Sequence, residues 1–164
     1  MKIVSDSSPL VALSAIGKLG LLNDKFGEII IPEAVWTEIA IDGKHKKGTV
    51  DILRADWIKV VSIKNVTFAK YLRKDIDYGE SEAIVLAMES SADVLLLDDK
   101  MARAVAVYSG LNIIGTVGVL IWAKKEGFIV QLREELENLI VHANFRMSQD
   151  LINRALQEVK EDRL

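Results

Sequence analysis

The chain contains no cysteine, which excludes disulfides and thiolate metal centres and is compatible with a reducing cytosol. Histidine is nearly absent as well. His45 and His142 are the two present, and neither has a partner at the spacing of a metal site or a nucleophile dyad. No apolar run approaches the roughly 18 residues that span a bilayer, and the first residues enter a strand-like segment without a signal-peptide pattern. The expected location is therefore the cytoplasm, with no membrane partner. An excess of positive charge is also missing. With a formal net charge of −3, any attraction to nucleic acid has to come from a local basic surface rather than from the whole molecule.

What is present suffices for one compact domain: 164 residues, of which 50% are hydrophobic, can fill a core. Short apolar runs at Ile3-Val4, Ile29-Ile30-Ile31, 58–63, 93–97 and 112–116 read as buried strands. The segments between them have helical apolar spacing. Strands alternating with helix-sized connections predict a parallel sheet of about five strands covered on both faces, a three-layer α/β/α domain. Segments 129–142 and 148–159 predict a C-terminal helical pair. The expected organisation is a core over 1–126 with an extension over 127–164 packed on the same domain. Ser8 before Pro9 has the form of an N-cap followed by proline at the first helical position, and Thr116 also reads as an N-cap. Residues 42–48, glycine at 43 and 48 with Lys44, Lys46 and Lys47 between, read as an exposed, mobile basic loop.

The acids carry the chemistry. Val94-Leu95-Leu96-Leu97 stops in Asp98-Asp99, and Ile3-Val4-Ser5 stops in Asp6. Each is a strand running into a helix, and in open parallel sheets ligands bind outside the carboxyl ends of the strands, near the point where strand order reverses. Glu38 lies on a predicted helix, and Glu80, with Glu82 nearby, falls in a first helical turn, where the backbone dipole favours a carboxylate. Several carboxylates at one place repel one another and call for a cation. Oxygen ligands without histidine or cysteine favour Mg²⁺ or Mn²⁺, and the natural reaction of such a site is phosphodiester hydrolysis. The plainer reading stands beside this one: any of these acids can be a cap or a dipole partner, with Glu82 and Asp98 the most exposed to it. Ser7, Ser8 and Thr116 are ordinary capping residues before they are site residues. Arg103, one turn after the acid pair, can pair with Asp99, hold a phosphate or lie on a solvated face.

Taken in order, Asp6-Ser7-Ser8-Pro9-Leu10, Glu38, Gly79-Glu80-Ser81-Glu82-Ala83, Leu96-Leu97-Asp98-Asp99-Lys100 and Gly115-Thr116-Val117-Gly118 resemble the motifs of the PIN domain superfamily, in its branch related to VapC toxins. The resemblance covers residues 1 to about 126. It implies a Mg²⁺- or Mn²⁺-dependent ribonuclease, possible membership of a toxin–antitoxin pair with a small antitoxin protein, and a homodimer. Asp6, Glu38, Glu80 and Asp99 match the family's four acids. The doubled acid leaves either Asp98 or Asp99 as the ligand, so the metal set implied is Asp6, Glu80, Asp98 and Asp99, supported by Ser7, Ser8, Arg103 and Thr116. Single-stranded RNA is the implied substrate, with Lys44, Lys46, Lys47, Lys100 and Arg103 as its candidate contacts. A module of the same fold that binds nucleic acid or a protein without cutting is the alternative. A receiver domain would want its acid pair at the first strand, and a haloacid-dehalogenase-type phosphatase would want an aspartate where Ser8 stands; both fit poorly.

Overall fold

The apolar runs form five strands: β1 (Ile3–Ser5), β2 (Ile29–Ile31), β3 (Ile58–Val60), β4 (Val94–Leu96) and β5 (Ile113–Ile114). In the computed structural model, which describes residues 1–161, all pairings are parallel and the order is β3-β2-β1-β4-β5. Their continuous apolar character follows from their burial. A strand covered on both faces has no polar alternation, and Ile3, Val4 and Ser5 are all buried, as are Val94, Leu95 and Leu96.

Successive residues of a strand point to opposite faces, and this divides the core in two. On one face Ile3, Ile29, Ile31, Ile58, Val94 and Leu96 pack with the helices α1 (Ser7–Ala15), α2 (Gly20–Phe26), α4 (Thr49–Arg54), α8 (Thr116–Lys125), α9 (Leu132–His142) and α10 (Gln149–Glu158). On the other, Val4 and Leu95 pack with α5 (Val66–Leu72), α6 (Tyr78–Glu89) and α7 (Lys100–Tyr108). A short α3 (Glu33–Thr37) runs into one π-helical turn, Glu38–Asp42, at the end of β2. This is the three-layer architecture expected from the alternation. Leu132, Leu136, Leu139, Ile152, Ala155 and Leu156 of the C-terminal pair join the same apolar cluster as the sheet. No helix among the described residues is long and apolar enough to cross a membrane.

The chain leaves β1 for β2 and β3 on one side and returns to β4 on the other, so strand order reverses between β1 and β4. There the two strands are in register, Ser5 opposite Leu96, and the Asp6 backbone N–H donates to the Leu96 carbonyl at 2.9 Å. The acids at the ends of β1 and β4 therefore leave the sheet side by side.

Two local expectations are corrected. Helix α1 starts at Ser7, not after Ser8, and its N-cap position is Asp6. Pro9 is tolerated there because every first-turn N–H lacks an intrahelical acceptor. Thr116 is the first residue of α8 rather than its cap; its hydroxyl is used elsewhere. The basic loop is exposed, as expected, and is closed at its end by Thr49. The Thr49 hydroxyl donates to the Gly43 and Lys46 carbonyls at 2.8 and 3.0 Å. Gly48, at φ +83, lies so close to Ser14 of α1 that a side chain there would meet its backbone.

Candidate active site

Asp6 occupies the N-cap position of α1 with an extended backbone, but its side chain makes no capping bond. It is 3% exposed, and its Oδ1 is buried without a hydrogen-bond partner. Burial holds its carboxyl well above the usual aspartate range. The Ser7 backbone N–H works against this, and the negative charges of Glu38, Glu80 and Asp77 add to it. An unpartnered buried carboxylate oxygen is costly. The chemistry that would relieve it is a cation.

Glu38 stands where α3 loosens into the π-helical turn, a distortion frequent at functional sites. Its Oε2 accepts the Ser7 hydroxyl at 2.6 Å and its Oε1 accepts the Gly79 backbone N–H at 3.0 Å. Burial raises its pKa, Ser7 lowers it, and Asp77 raises it again. Glu80 belongs to a capping box. The Asp77 carboxylate accepts the Glu80 N–H at 2.8 Å, and the Glu80 Oε2 accepts the Asp77 N–H at 3.1 Å. Burial pushes the Glu80 carboxyl up to about 7, offset by the Asp77 N–H and reinforced by the charges of Asp77, Asp99 and Glu38.

The two acids after β4 do different work. Asp98 is bound from three sides: Oδ1 accepts the Thr116 backbone N–H at 2.7 Å, and Oδ2 accepts the Thr116 hydroxyl at 2.6 Å and the Ser8 hydroxyl at 3.1 Å. It braces the starts of α1 and α8 against the end of β4. Asp99 caps α7 through Oδ2, which accepts the Ala102 N–H at 3.0 Å, and its charge is felt at Glu80. Arg103 neither pairs with Asp99 nor stands free; its Nη1 donates to the Leu97 carbonyl at 3.0 Å. A side chain at Gly115 would collide with that guanidinium and crowd Asp98. Glu82 is structural. Its Oε1 accepts the Ala34 N–H at 3.1 Å, and Arg73 stands 3.8 Å from Oε2.

Asp6, Glu38, Glu80 and Asp99 thus surround one neighbourhood, joined by Asp77, which the sequence reading did not single out. Its signal was the spacing of the capping box, Asp77 to Glu80. Among the described residues no three carboxylates or histidines stand close enough to form a ready cage for a metal. Mg²⁺ does not need one: it is commonly held by one or two carboxylates and keeps several waters. The donor set fits such an ion, with oxygen ligands only, raised carboxyl pKa values and the unpartnered Asp6 Oδ1.

Beside the acids lies a hollow of about 590 Å³, whose lining includes Ser7, Glu80 and Asp99 together with Lys46, Lys100 and Arg146. Of the loop lysines, Lys46 reaches it. Lys47 borders a neighbouring hollow with His142 and Ala143, and Lys44 is exposed to solvent. Asn144, Phe145 and Arg146, from the link between α9 and α10, went unnoticed in the sequence because no motif marks them.

The model of the PIN domain family matches residues 2–161. The chain belongs to the PIN domain family. The match does not stop at residue 126 but includes the C-terminal pair, as the shared apolar cluster does. PIN domains are nuclease-type folds, typically served by divalent metals. No curated protein and no solved structure matches this PIN domain significantly.

Proposed function

We propose that this PIN domain is a metal-dependent endoribonuclease that hydrolyses phosphodiester bonds in single-stranded RNA. The observation that carries the reading is the buried Asp6 Oδ1, left without a hydrogen bond among the charges of Glu38, Glu80 and Asp77. Asp6, with one of Glu80 and Asp99 and several waters, would hold Mg²⁺ or Mn²⁺, while Asp98 braces the end of β4 through Thr116 and Ser8. A bound ion of this kind polarises a phosphoryl oxygen and makes a water nucleophilic near neutral pH.

The remaining chemistry belongs to the chain. Glu38, oriented by Ser7 and Gly79 and raised in pKa, is placed to accept a proton from the attacking water. Lys46 and Lys100 line the hollow beside the acids and would receive the RNA backbone. Lys44 and Lys47, farther along the loop, would extend that contact. Arg103, tied to the end of β4, supports the strand end from which Asp98 and Asp99 leave.

As partners we propose a second copy of the chain and a small antitoxin-like protein, in keeping with the resemblance to VapC-type toxins. Exposed apolar residues of the C-terminal region, Val130, Ile140 and Val141 among them, support a protein-covered surface. Light scattering that gives a monomer at every accessible concentration would remove the dimer.

The lack of a ready cage among the described residues favours a second reading, a module that binds RNA without cutting it. One experiment separates the two. A mixed RNA pool is incubated with wild type and with Asp6→Asn, each with Mn²⁺ and with EDTA, and new ends are sequenced. The nuclease yields new ends only as wild type with Mn²⁺. A pool unchanged in all four samples leaves the non-cutting module.

A further inference from the structure

The C-terminal pair does more than cover the sheet. Between β5, the first turns of α8 and the link from α9 to α10 lies a second hollow of about 650 Å³, a volume in the range of small-ligand sites. Its floor is apolar, formed by Ile114, Val117, Ile121, Phe145 and Leu151, and its rim carries Lys100, Arg103, Arg146 and Arg154. It shares Asp98, Lys100, Phe145 and Arg146 with the hollow beside the acids, so the two form one trough.

The cations near the trough differ from two on the neighbouring surface. Away from the trough two cations are paired, Lys124 with Glu161 at 3.5 Å and Lys125 with Glu158 at 2.9 Å. Around the trough, Lys100, Arg103, Arg146 and Arg154 have no carboxylate within ion-pair distance among the described residues. The nitrogen bonds of the two rim arginines that have any go to carbonyl oxygens, Arg103 to Leu97 at 3.0 Å and Arg154 to Asp150 at 3.4 Å. In a chain of net charge −3, unpaired cations gathered at one rim mark a surface that awaits an anion. The link that brings Phe145 and Arg146 there is fixed. Asn144 takes a left-handed turn at φ 52, a conformation asparagine tolerates, and the Phe145 N–H donates to the Leu139 carbonyl at 3.0 Å.

We propose that this hollow is a nucleotide subsite of the same RNA channel, seating a nucleotide next to the phosphate that is cut. It rests on the ribonuclease reading. The base lies on the apolar floor against Phe145, as single-stranded bases lie on aromatic rings in sequence-tolerant binders. Arg146 and Arg154 take its phosphates, for which the guanidinium fork is shaped. An acidic peptide would satisfy the arginines and the floor, but it would not account for the hollow's continuity with the one beside the acids, which a phosphate chain running to the cleaved bond requires.

The test uses the full chain carrying Asp6→Asn, in EDTA, titrated with a fluorescein-labelled single-stranded RNA over a range of salt. Adding Arg146→Ala with Arg154→Ala should weaken binding at least about tenfold at low salt and flatten the log–log salt slope by about 1.4, that is about 0.7 for each phosphate lost. Phe145→Leu should weaken binding and leave the slope unchanged. Lys125→Ala, on the paired surface, should bind as its parent does. In the otherwise wild-type chain the arginine variant should raise KM and keep kcat, with an unchanged melting temperature. RNA bound equally well by the parent and the arginine variant overturns the subsite while cleavage by wild type upholds the nuclease. A copurifying protein lost in the arginine variant, with RNA binding intact, also overturns it in favour of a peptide. A wild type that neither binds nor cuts any RNA overturns both.

Discussion

The Gly79 backbone N–H donates to Glu38 Oε1 at 3.0 Å, and a Cβ on Gly79 would overlap that same carboxylate. Glu38 therefore keeps its position because the second residue of α6 has no side chain. Gly79→Ala should push Glu38 away from Ser7. The backbone here is not in the left-handed region, and alanine is the better helix former by up to about 1 kcal/mol, so the fold should hold. The expected outcome is a melting temperature equal to or above that of wild type, with RNA cleavage reduced at least about tenfold. Full activity in a folded Gly79→Ala would remove Glu38 from the reaction.

Stability of the metal-free protein should fall as pH rises through neutrality. The Glu80 carboxyl titrates ordinarily at 4.5 and in the folded chain at about 7. Between those values the folded state keeps a proton that the unfolded chain has released, so unfolding gains favour with each step up in pH. Asp6 and Glu38 are raised too and act in the same direction. In EDTA the melting temperature should therefore be higher near pH 5 than near pH 8, and Glu80→Gln should lessen the difference. A curve flat across this window would contradict the shared burial of these acids.

Divalent cation should reverse that trend. An ion that binds only the folded state at about 100 times its dissociation constant adds about 2.7 kcal/mol. The gain should be largest above pH 7, where the carboxylates are charged, and small near pH 5. Asp6→Asn should lose it. In EDTA at high pH the same variant should melt at or above wild type, because it removes an unpartnered buried charge. Equal Mn²⁺ shifts in wild type and Asp6→Asn would place the ion elsewhere.

The adjacent acids should separate cleanly. Asp98→Ala leaves the Thr116 and Ser8 donors without an acceptor, a loss of about 1–3 kcal/mol in thermal or urea unfolding. Asp99→Asn keeps a side-chain oxygen to cap α7, since asparagine caps as well as aspartate does. It should leave stability within about 0.5 kcal/mol and abolish cleavage. The reverse pattern would make Asp98 the ligand.

Among the loop lysines, Lys46 should dominate binding because it alone of the three lines the hollow beside the acids. Lys46→Ala should reduce the salt slope of RNA binding by about 0.7, and Lys44→Ala should reduce it by less. Equal effects from both would mean that the loop acts through its total charge.

Much of this protein was determined by sequence alone, because strand and helix signals are local. Apolar runs such as 29–31, glycines at helix ends and acids at strand ends each act within a few residues, and their alternation prescribes a parallel three-layer fold. Asp6, Glu80 and the Asp98–Asp99 pair stand at such strand and helix ends, whereas Glu38 rests on the resemblance to PIN domains. The tertiary structure decided the rest, because it depended on partners far apart in the chain. Whether Ser8 caps a helix or holds Asp98, 90 positions away, is settled by the β1–β4 pairing that sets their distance. Which of two adjacent aspartates is braced depends on where Thr116 starts α8. Phe145 and Arg146 reach the acids only because the C-terminal helices fold back onto the sheet's apolar cluster, which no spacing within 143–147 could reveal.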